Sequence, residues 1–544
     1  LLTQVCTFLS PLLSEPDLLN QIDFALTFGN HKGALRKPQQ LINLLHDDIS
    51  RGYNLPVPIN MVHKIPGLVL SPMNIARQNT IDETGRVIEK DRLTHDHSFD
   101  FFPGSSVNKR CRLDLHQTCM FGKALSRLIH WIVHMRLKYP ENRILLTKTY
   151  WKAAYRRAHL NIDTALQCAT HLSDTLLIPL RMTFGGAPCP ASWSCISDTG
   201  CDLATDLAND PEWEPLKLKS PHQHLLPEVP PVPTDRASPH QAQELLFDFP
   251  TEEDDHIIKF DNYIDDLMGG GVDVDADAVH RLSAAGSLVI HILGRPVASN
   301  EPIPRDDLNS LKKLAAEGLP EEKKICLGIL IDTNQLIAAL PKHKYKAWTD
   351  SIRKFMEAGK IGFKDLEELI GRLEHVNFIQ PPGRHFLGRL RALQYSFGLH
   401  PFGHRHLGKE IFKDLELWLK LLKRATTGVS LNLLVHRNPT HAYRTDASLH
   451  GLGGYSNKGR AWRFEIPIEL RGRASINLLE FIGTFVSPWV DFLEGNLPPE
   501  SSILAESDNA TASAWCHKSN FESELRPTHL KVSRRFAVFL LEAR

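Results

Sequence analysis

The sequence predicts an α+β protein with more than one domain. The chain has 544 residues, more than one typical domain holds, and 42% of them are apolar, which is enough to bury ordinary cores. Short β-prone pieces joined by glycine-containing turns alternate with stretches in which apolar residues recur every three or four positions. The 63 basic residues balance 63 acidic ones, so total charge neither favours nor excludes nucleic acid as a partner.

The first 80 residues combine helical spacing with proline-rich connections, and the stretch after them predicts a β-hairpin. Its turn is expected at Glu83-Thr84-Gly85, and its second strand carries Lys90 and Arg92. An arginine fork matches phosphate oxygens, so these cations could clamp a triphosphate. A charged hairpin that is only solvated is the alternative.

A helix with a basic outer face is predicted from about Phe121, followed by a strand at 143–147 and a segment containing Tyr155. Phe184-Gly185 then lies in a loop that leads into a helix from about Pro190 to Leu207. A glycine in this loop lets the backbone approach a base pair or a phosphate closely.

Residues 208–255 hold nine prolines, which favours a long extended loop within one domain. The next stretch predicts a β-hairpin with the adjacent carboxylates of Asp265 and Asp266 at its tip, and a tight turn bounded by Gly269 would re-aim one of them. Two such acids can bind Mg²⁺, and a pair of metal ions about 3.5–4 Å apart supports phosphoryl transfer. A solvated acidic turn is the alternative.

Helical spacing returns after Pro341 and continues through Leu373. The stretch from Arg384 to Arg424 then has nine Lys or Arg against three acids, with aromatic residues interleaved, a composition suited to gripping a phosphate backbone. A solvated helical face is the alternative.

Residues 425–441 predict a linker, and the pattern after it predicts two strands joined by a glycine turn, a helix and a further strand. Asp446 falls at the end of the first strand, Glu480 on the helix and Asp508 at the end of the last strand. Three acids placed in this way could converge on two metal ions.

The order of these blocks resembles the reverse transcriptase of a retroelement, most closely the DIRS-like class that carries a tyrosine recombinase, and the last block resembles ribonuclease H. The resemblance runs from about Leu44 to Arg544. It implies a fingers–palm–thumb polymerase followed by an α/β ribonuclease H-like domain. The implied boundaries are 1–335 for fingers and palm, 336–424 for a helical thumb or connection, 425–441 for the linker and 442–544 for the ribonuclease H-like domain.

Several residues match functional positions of that family. The Tyr-x-Asp-Asp stretch at residues 263–266 is its signature, and Asp265 matches the metal-binding acid, with Asp266 as its neighbour. Further matches concern the nucleotide. Tyr155 matches the residue that selects against the sugar 2′-hydroxyl, and Phe184-Gly185 matches a pair that contacts the nucleotide. Lys90 and Arg92 resemble the cations that hold the triphosphate, and Lys313 resembles the lysine proposed to protonate pyrophosphate. Leu327-Gly328 resembles the hairpin that grips the primer end.

One position departs from the family pattern. Four residues before the Ala-Tyr-Arg triplet, where the family has a second metal-binding aspartate, this chain has Tyr150. A phenol is neutral at pH 7 and cannot replace an anion that bridges two Mg²⁺ ions. We therefore expect polymerase activity to be reduced by about 10³-fold or more.

The resemblance implies Mg²⁺ as cofactor, two ions per active site with Mn²⁺ possible, at Asp265 and Asp266 and at Asp446, Glu480 and Asp508. It implies an RNA template, a DNA primer, an RNA–DNA hybrid and deoxynucleoside triphosphates as partners. With no paired cysteine spacing and no long apolar run, we expect an intracellular protein, nuclear or cytoplasmic, without membrane association.

The missing initiator Met indicates a fragment, in which the last strand, last helix and fourth metal ligand of the ribonuclease H-like domain lie beyond Arg544. Two other readings stay open: a decayed or repurposed copy that only binds nucleic acid, and an unrelated structural protein.

Overall fold

The computed structural model describes residues 5–81, 87–217, 231–246, 256–294, 307–398, 402–517 and 526–542, with residues 226 and 228. The chain divides into two compact units. Unit 1 comprises residues 1–131, 142–236 and 251–322, and unit 2 comprises residues 132–141, 237–250 and 323–544. Helix and strand alternate in both, so the prediction of a mixed α and β chain is confirmed.

The strands of unit 1 are β1 (Val5–Cys6), β2 (Asn54–Pro58), β3 (Met73–Ile81), β4 (Val87–His95), β5 (Ile144–Tyr150), β6 (His159–Leu160), β7 (Thr170–Leu172), β8 (Thr175–Pro179), β9 (Ile258–Tyr263) and β10 (Asp266–Val272). Its helices are α1 (Glu15–Phe28), α2 (Lys32–Leu35), α3 (Pro38–Ser50), α4 (Val107–Arg110), α6 (Ile162–Gln167), α7 (Cys189–Asn209), α8 (Ala276–Leu293) and α9 (Leu311–Glu317), and α5 (Ala124–Lys138) continues across the division at residues 131 and 132.

A three-stranded antiparallel sheet in the order β5-β10-β9 forms the centre of unit 1. Helices α7 and α8 pack together and against this sheet, and apolar side chains such as Phe260, Leu267 and Leu282 fill the space between them. Helix α8 begins where the Asp275 carboxylate accepts a hydrogen bond from the Ala278 amide at 2.7 Å. Because β10 begins opposite the end of β5, the β9–β10 turn lies beside the last residue of β5.

The hairpin predicted around residue 84 is present as the antiparallel pair β3–β4, whereas its expected turn, Glu83-Thr84-Gly85, lies outside the described residues. The helix predicted from Pro190 to Leu207 is α7. In the proline-rich stretch, the described residues 231–246 form neither helix nor strand.

The strands of unit 2 are β11 (Lys323–Cys326), β12 (Ile329–Asp332), β13 (Ile337–Ala339), β14 (Lys360–Gly362), β15 (His404–His406), β16 (Val429–Ser430), β17 (His441–Ala447), β18 (Gly451–Ser456), β19 (Ala461–Glu465) and β20 (Ile503–Glu506). Its helices are α10 (Lys342–Ala358), α11 (Phe363–Val376), α12 (Gly388–Tyr395), α13 (Lys409–Thr427), α14 (Ile476–Leu493), α15 (Ala510–His517) and α16 (Arg526–Glu542).

Residues 425–441 differ from the predicted linker. Helix α13 runs to Thr427, and β16 then pairs with β13 to complete a four-stranded sheet in the order β11-β12-β13-β16. The predicted boundary at 335 and 336 would cut this sheet between β12 and β13, so the sheet belongs whole to unit 2. The sequence did not predict the pairing of β16 with β13, because a two-residue strand is too short to show an alternating apolar pattern.

A second four-stranded sheet, β19-β18-β17-β20, carries the last block of predicted elements. Strands β17 and β18 pair antiparallel, and β17 and β20 pair parallel, with α14 packed on one face. Phe536 on α16 packs against Phe481 of α14, with ring centroids 5.6 Å apart. Helix α16 thus covers part of the apolar surface of α14.

Among the described residues, one helix, Ile476–Leu493, is long and apolar enough to cross a membrane by length and composition. This helix is α14. Its buried side chains include Glu480 and Asp491. The place of α14 on the sheet accounts for its apolar character as that of a core helix.

Candidate active sites

The carboxylates of Asp265 and Asp266 lie at the turn between β9 and β10. The sequence suggested that Gly269 shapes this turn, and this detail is wrong. Ile264 takes the left-handed conformation, with φ of +59°, whereas the glycines at 269–271 lie along β10. A β-branched residue in that region is strained by about 1–3 kcal/mol, so its surroundings must hold it.

Two hydrogen bonds fix this turn. The indole nitrogen of Trp193, on α7, donates to the carbonyl oxygen of Ile264 at 2.6 Å. The backbone amide of Trp151 donates to the carbonyl oxygen of Asp265 at 3.0 Å. The neighbouring glycines serve close packing instead, since a Cβ on Gly270 would lie 2.3 Å from the ring of Trp131.

Lys313 is the cation nearest to these acids among the described residues. Its Nζ atom lies 3.5 Å from Asp266 Oδ1 and 3.9 Å from Asp265 Oδ2. Burial raises the pKa of Asp266, the charge of Asp265 raises it further, and the ammonium group of Lys313 opposes both. The ammonium group of Lys313 therefore favours the charged form of Asp266, against the effect of burial.

Tyr150 lies directly across the sheet from Asp266, because β5 and β10 pair Tyr150 with that residue. Its side chain is only 2% exposed, and its hydroxyl donates a hydrogen bond to Glu317 Oε2. The same carboxylate accepts a hydrogen bond from Lys148 Nζ at 2.6 Å. The β5 position opposite Asp266 is thus filled by a buried tyrosine ring that is bonded to Glu317.

Arg92, Tyr155 and Phe184 come together in unit 1. The rings of Tyr155 and Phe184 lie 5.5 Å apart, and the Arg92 guanidinium lies 5.9 Å from the Phe184 centroid. Burial raises the pKa of Tyr155, which keeps its hydroxyl neutral. Lys90 lies two residues before Arg92 on β4, and partial desolvation lowers its pKa, with the charge of Arg92 acting in the same direction.

Gly185 is required by its backbone. Its φ is +122°, and a Cβ built on it would lie 1.8 Å from the carbonyl oxygen of His95. The carbonyl oxygen of Gly185 accepts a hydrogen bond from the Asn108 side-chain amide at 2.8 Å. No side chain larger than hydrogen fits here without moving β4.

Two buried histidines support this pocket and were given no role from the sequence. The backbone amide of His95 donates to the carbonyl oxygen of Phe184 at 2.9 Å. The ring of His97 lies between the hydroxyls of Ser71, at 2.9 Å, and Thr183, at 2.8 Å. Burial lowers the pKa of His97 to about 3, so the ring is neutral. His95 ends β4 and His97 follows two residues later, and this alternate spacing was the signal available in the sequence.

The second site lies in unit 2, where carboxylate oxygens of Asp446, Glu480 and Asp508 all lie within 4.8 Å of one another. Asp446 is on β17, Glu480 is buried on α14, and Asp508 follows β20, the parallel neighbour of β17. Parallel strands end at the same edge of a sheet, which brings the two aspartates together beside the helix. This is the only group of three or more potential metal ligands found among the described residues.

Glu480 shows why this group suits a cation. Its Oε1 accepts a hydrogen bond from the Ala447 amide at 3.0 Å, whereas no donor among the described residues reaches its buried Oε2. Burial raises the pKa of Glu480, and the charges of Asp446 and Asp508 raise it further. A divalent cation would satisfy the buried oxygen and remove this repulsion, so the residues present fit a hard metal ion.

The surroundings hold the three acids in place. The Tyr443 hydroxyl donates to Asp491 Oδ2 at 2.8 Å and ties β17 to α14. The side-chain amide of Asn509 donates to Asn477 Oδ1 at 2.8 Å and ties the residue after Asp508 to the same helix. Strand, helix and loop are thereby fixed to one another next to the cluster.

The basic stretch predicted to grip a duplex has partners within unit 2. Arg389 lies 3.1 Å from the buried carboxylate of Asp414. The same carboxylate also contacts Arg534 of α16. Arg384 donates to the carbonyl oxygen of His517 at 2.9 Å, and Arg391 lies 3.8 Å from Glu374. A phosphate would have to compete with these partners, so the grip on a duplex stays a prediction.

No protein-family model matches the chain, and no curated protein matches its sequence. Among solved structures, it is similar to a foamy viral protease-reverse transcriptase in complex with double-stranded DNA, at 11% identity and a TM-score of 0.44, covering 99% of this chain and 71% of that one. A second structure of such a protein, with an RNA/DNA hybrid, matches at 11% identity and a TM-score of 0.43, and this chain covers 52% of its length. Likenesses this weak carry no argument about activity.

Proposed function

We propose that the chain is a reverse transcriptase and ribonuclease H of a DIRS-like retroelement, whose working centre cleaves the RNA strand of an RNA–DNA hybrid. The observation that carries this proposal is the convergence of Asp446, Glu480 and Asp508 within 4.8 Å at the edge of a mixed sheet. Carboxylates in such a cluster are the ligands that Mg²⁺ and Mn²⁺ prefer.

The three acids of the cluster differ in exposure and in the role that we propose for them. Asp446 and Asp508 are exposed, so a nucleic acid backbone could reach their carboxylates, whereas Glu480 is buried. Bound metal ions would lower the pKa of an attacking water and stabilise the leaving oxygen. The protein positions these ligands on two strand ends and a helix, which fixes the geometry before substrate binds.

For the polymerase centre we propose an RNA template, a DNA primer and deoxynucleoside triphosphates as ligands. Lys90 and Arg92 would hold the triphosphate, and Tyr155, Phe184 and Gly185 would surround the sugar and base. The role of Asp265 and Asp266 as metal ligands requires a third acid, and Tyr150 occupies that position on β5. Primer extension is therefore expected to be about 10³-fold or more below that of an intact centre.

A second candidate function is the binding of nucleic acid without catalysis, in a decayed or repurposed copy. The observation that favours it is that Tyr150 is buried and bonded to Glu317, so position 150 offers no ligand for a metal ion. The two candidates differ in one property. The first predicts metal-dependent strand cleavage at the unit 2 site, and the second predicts none at either site.

The test is cleavage of a labelled RNA strand annealed to DNA by the full chain, with Mg²⁺ or Mn²⁺. Asp446→Asn and Glu480→Gln should each reduce cleavage by at least about 10²-fold, as expected for loss of a metal ligand. Glu506→Gln is the matched control, because Glu506 lies on β20 two residues before Asp508 and pairs with Arg444 outside the cluster. Cleavage that survives both substitutions would refute the proposal.

A further inference from the structure

The acids of the polymerase centre in unit 1 already have a cation of their own. Lys313 Nζ lies 3.5 Å from Asp266 and 3.9 Å from Asp265, and it also lies 3.8 Å from the ring centroid of Tyr150. A cation over an aromatic face is attracted by the ring as well as by the carboxylates. Three groups thus hold one ammonium group at the place where the family pattern calls for metal ions.

The helix that carries Lys313 is fixed beside β5. The Ser310 amide, just before α9, donates to the carbonyl oxygen of Tyr150 at 2.9 Å. At the other end of α9, the Thr147 hydroxyl donates to the carbonyl oxygen of Gly318 at 2.6 Å. Lys313 and Glu317 are four residues apart and share one helix face, so both side chains are directed at Tyr150.

The charges of this cluster are close to balance. Asp265, Asp266 and Glu317 contribute three carboxylates, and Lys148 and Lys313 contribute two ammonium groups. An aspartate at position 150 would add a further negative charge, which is the situation in which divalent cations are needed. With Tyr150 in its place, two lysines of the protein balance two of the three carboxylate charges.

A metal pair does not fit this arrangement. On β5 the residue opposite Asp266 is Tyr150, whose phenol is already bonded to Glu317, so Asp265 and Asp266 would have to hold two divalent ions without a carboxylate from β5. A metal ion at Asp265 and Asp266 would also lie next to the Lys313 ammonium group and be repelled by it.

We propose that Lys313 takes the place of metal at the polymerase centre, so that, among the residues that the structure describes, divalent-cation binding is confined to Asp446, Glu480 and Asp508. This inference deepens the proposed function and rests on it for the second site. It makes the polymerase centre a lysine-neutralised pocket in which a triphosphate would meet the cations Lys90, Arg92 and Lys313 in place of metal ions.

The test is a titration of the full chain with Mn²⁺ alone, with free Mn²⁺ counted by electron paramagnetic resonance. The double variant Asp265→Asn/Asp266→Asn should bind as much Mn²⁺ as the unmodified chain. Lys313→Met, which keeps the length of the side chain but not its charge, should add a weak Mn²⁺ site that the same double substitution removes. Lys312→Met, on the same helix, is the control and should add none.

Two results would overturn the inference. One is a loss of bound Mn²⁺ on Asp265→Asn/Asp266→Asn in the otherwise unmodified chain. The other is Lys313→Met leaving Mn²⁺ binding unchanged. Asp446→Asn serves as a separate readout: if it fails to reduce Mn²⁺ binding, the proposed function fails at the second site, whereas the two unit 1 results still decide the role of Lys313.

Discussion

Replacing Tyr150 with aspartate should restore metal-dependent primer extension and cost stability at the same time. Tyr150 is 2% exposed, and truncation of a buried aromatic side chain costs about 3–5 kcal/mol. The new carboxylate lies opposite Asp266, where cross-strand Cβ atoms are about 5 Å apart, so at an effective dielectric constant of about 20 the repulsion is about 3 kcal/mol. Lys148 and Lys313 offset part of this repulsion, so the net loss of stability exceeds the packing cost alone and is about 4–7 kcal/mol.

The gain in activity is expected to be at least tenfold, which corresponds to about 1.4 kcal/mol of the barrier. It stays below the full 10³-fold because Lys313 competes with metal for the same oxygens. The assay is extension of a DNA primer on an RNA template with Mg²⁺, under conditions where circular dichroism shows the variant to be folded. Tyr150→Asn is the matched control, since it leaves a similar cavity without the charge.

The reasoning about the missing ligand fails if Tyr150→Asn gains as much activity as Tyr150→Asp, because the effect would then come from space and not from metal binding. It fails equally if the gain survives Asp265→Asn in the Tyr150→Asp background.

Three further predictions concern support of the two units. Gly185→Ala should abolish nucleotide binding, measured by calorimetry, because its Cβ would lie 1.8 Å from the His95 carbonyl oxygen, and Gly122→Ala, a position with open space, should not. The pKa of His97 is lowered in the folded chain to about 3. Its contribution to stability is therefore present above the ordinary pKa of about 6.5 and is lost as pH falls below that value. Between pH 7 and pH 5, the stability advantage of the unmodified chain over His97→Gln in urea titrations should shrink by about 2 kcal/mol, and a constant difference would contradict this. Asp414→Asn should destabilise unit 2 by about 3 kcal/mol, since it leaves Arg389 and Arg534 without their buried carboxylate, and it should leave the salt dependence of duplex binding unchanged if these arginines serve the fold.

The sequence was most informative where a residue type at a given spacing is compatible with only a few structures. Asp446, Glu480 and Asp508 were expected to converge because two strand ends and a helix can meet at one sheet edge, and they lie within 4.8 Å of one another. The hairpin with Asp265 and Asp266 was predicted from its flanking apolar run, and β9 and β10 pair as expected.

Features that depend on tertiary packing were not predictable. The left-handed conformation of Ile264 is imposed by Trp193 and Trp151, which are distant in sequence. The pairing of Arg389 with the buried carboxylate of Asp414 joins two different helices, and the composition of the basic stretch carries no signal for it. The contact of Lys313 with Tyr150 follows from the register of α9 beside β5, and spacing along the chain carries no signal for it.

The most direct test of the central claim is an anomalous difference map from crystals of the full chain soaked in Mn²⁺. The account predicts density between the carboxylates of Asp446, Glu480 and Asp508, and none between Asp265 and Asp266 while Lys313 and Tyr150 are in place. A map without a peak at the first site would contradict the assignment of a metal-dependent nuclease centre to these three acids.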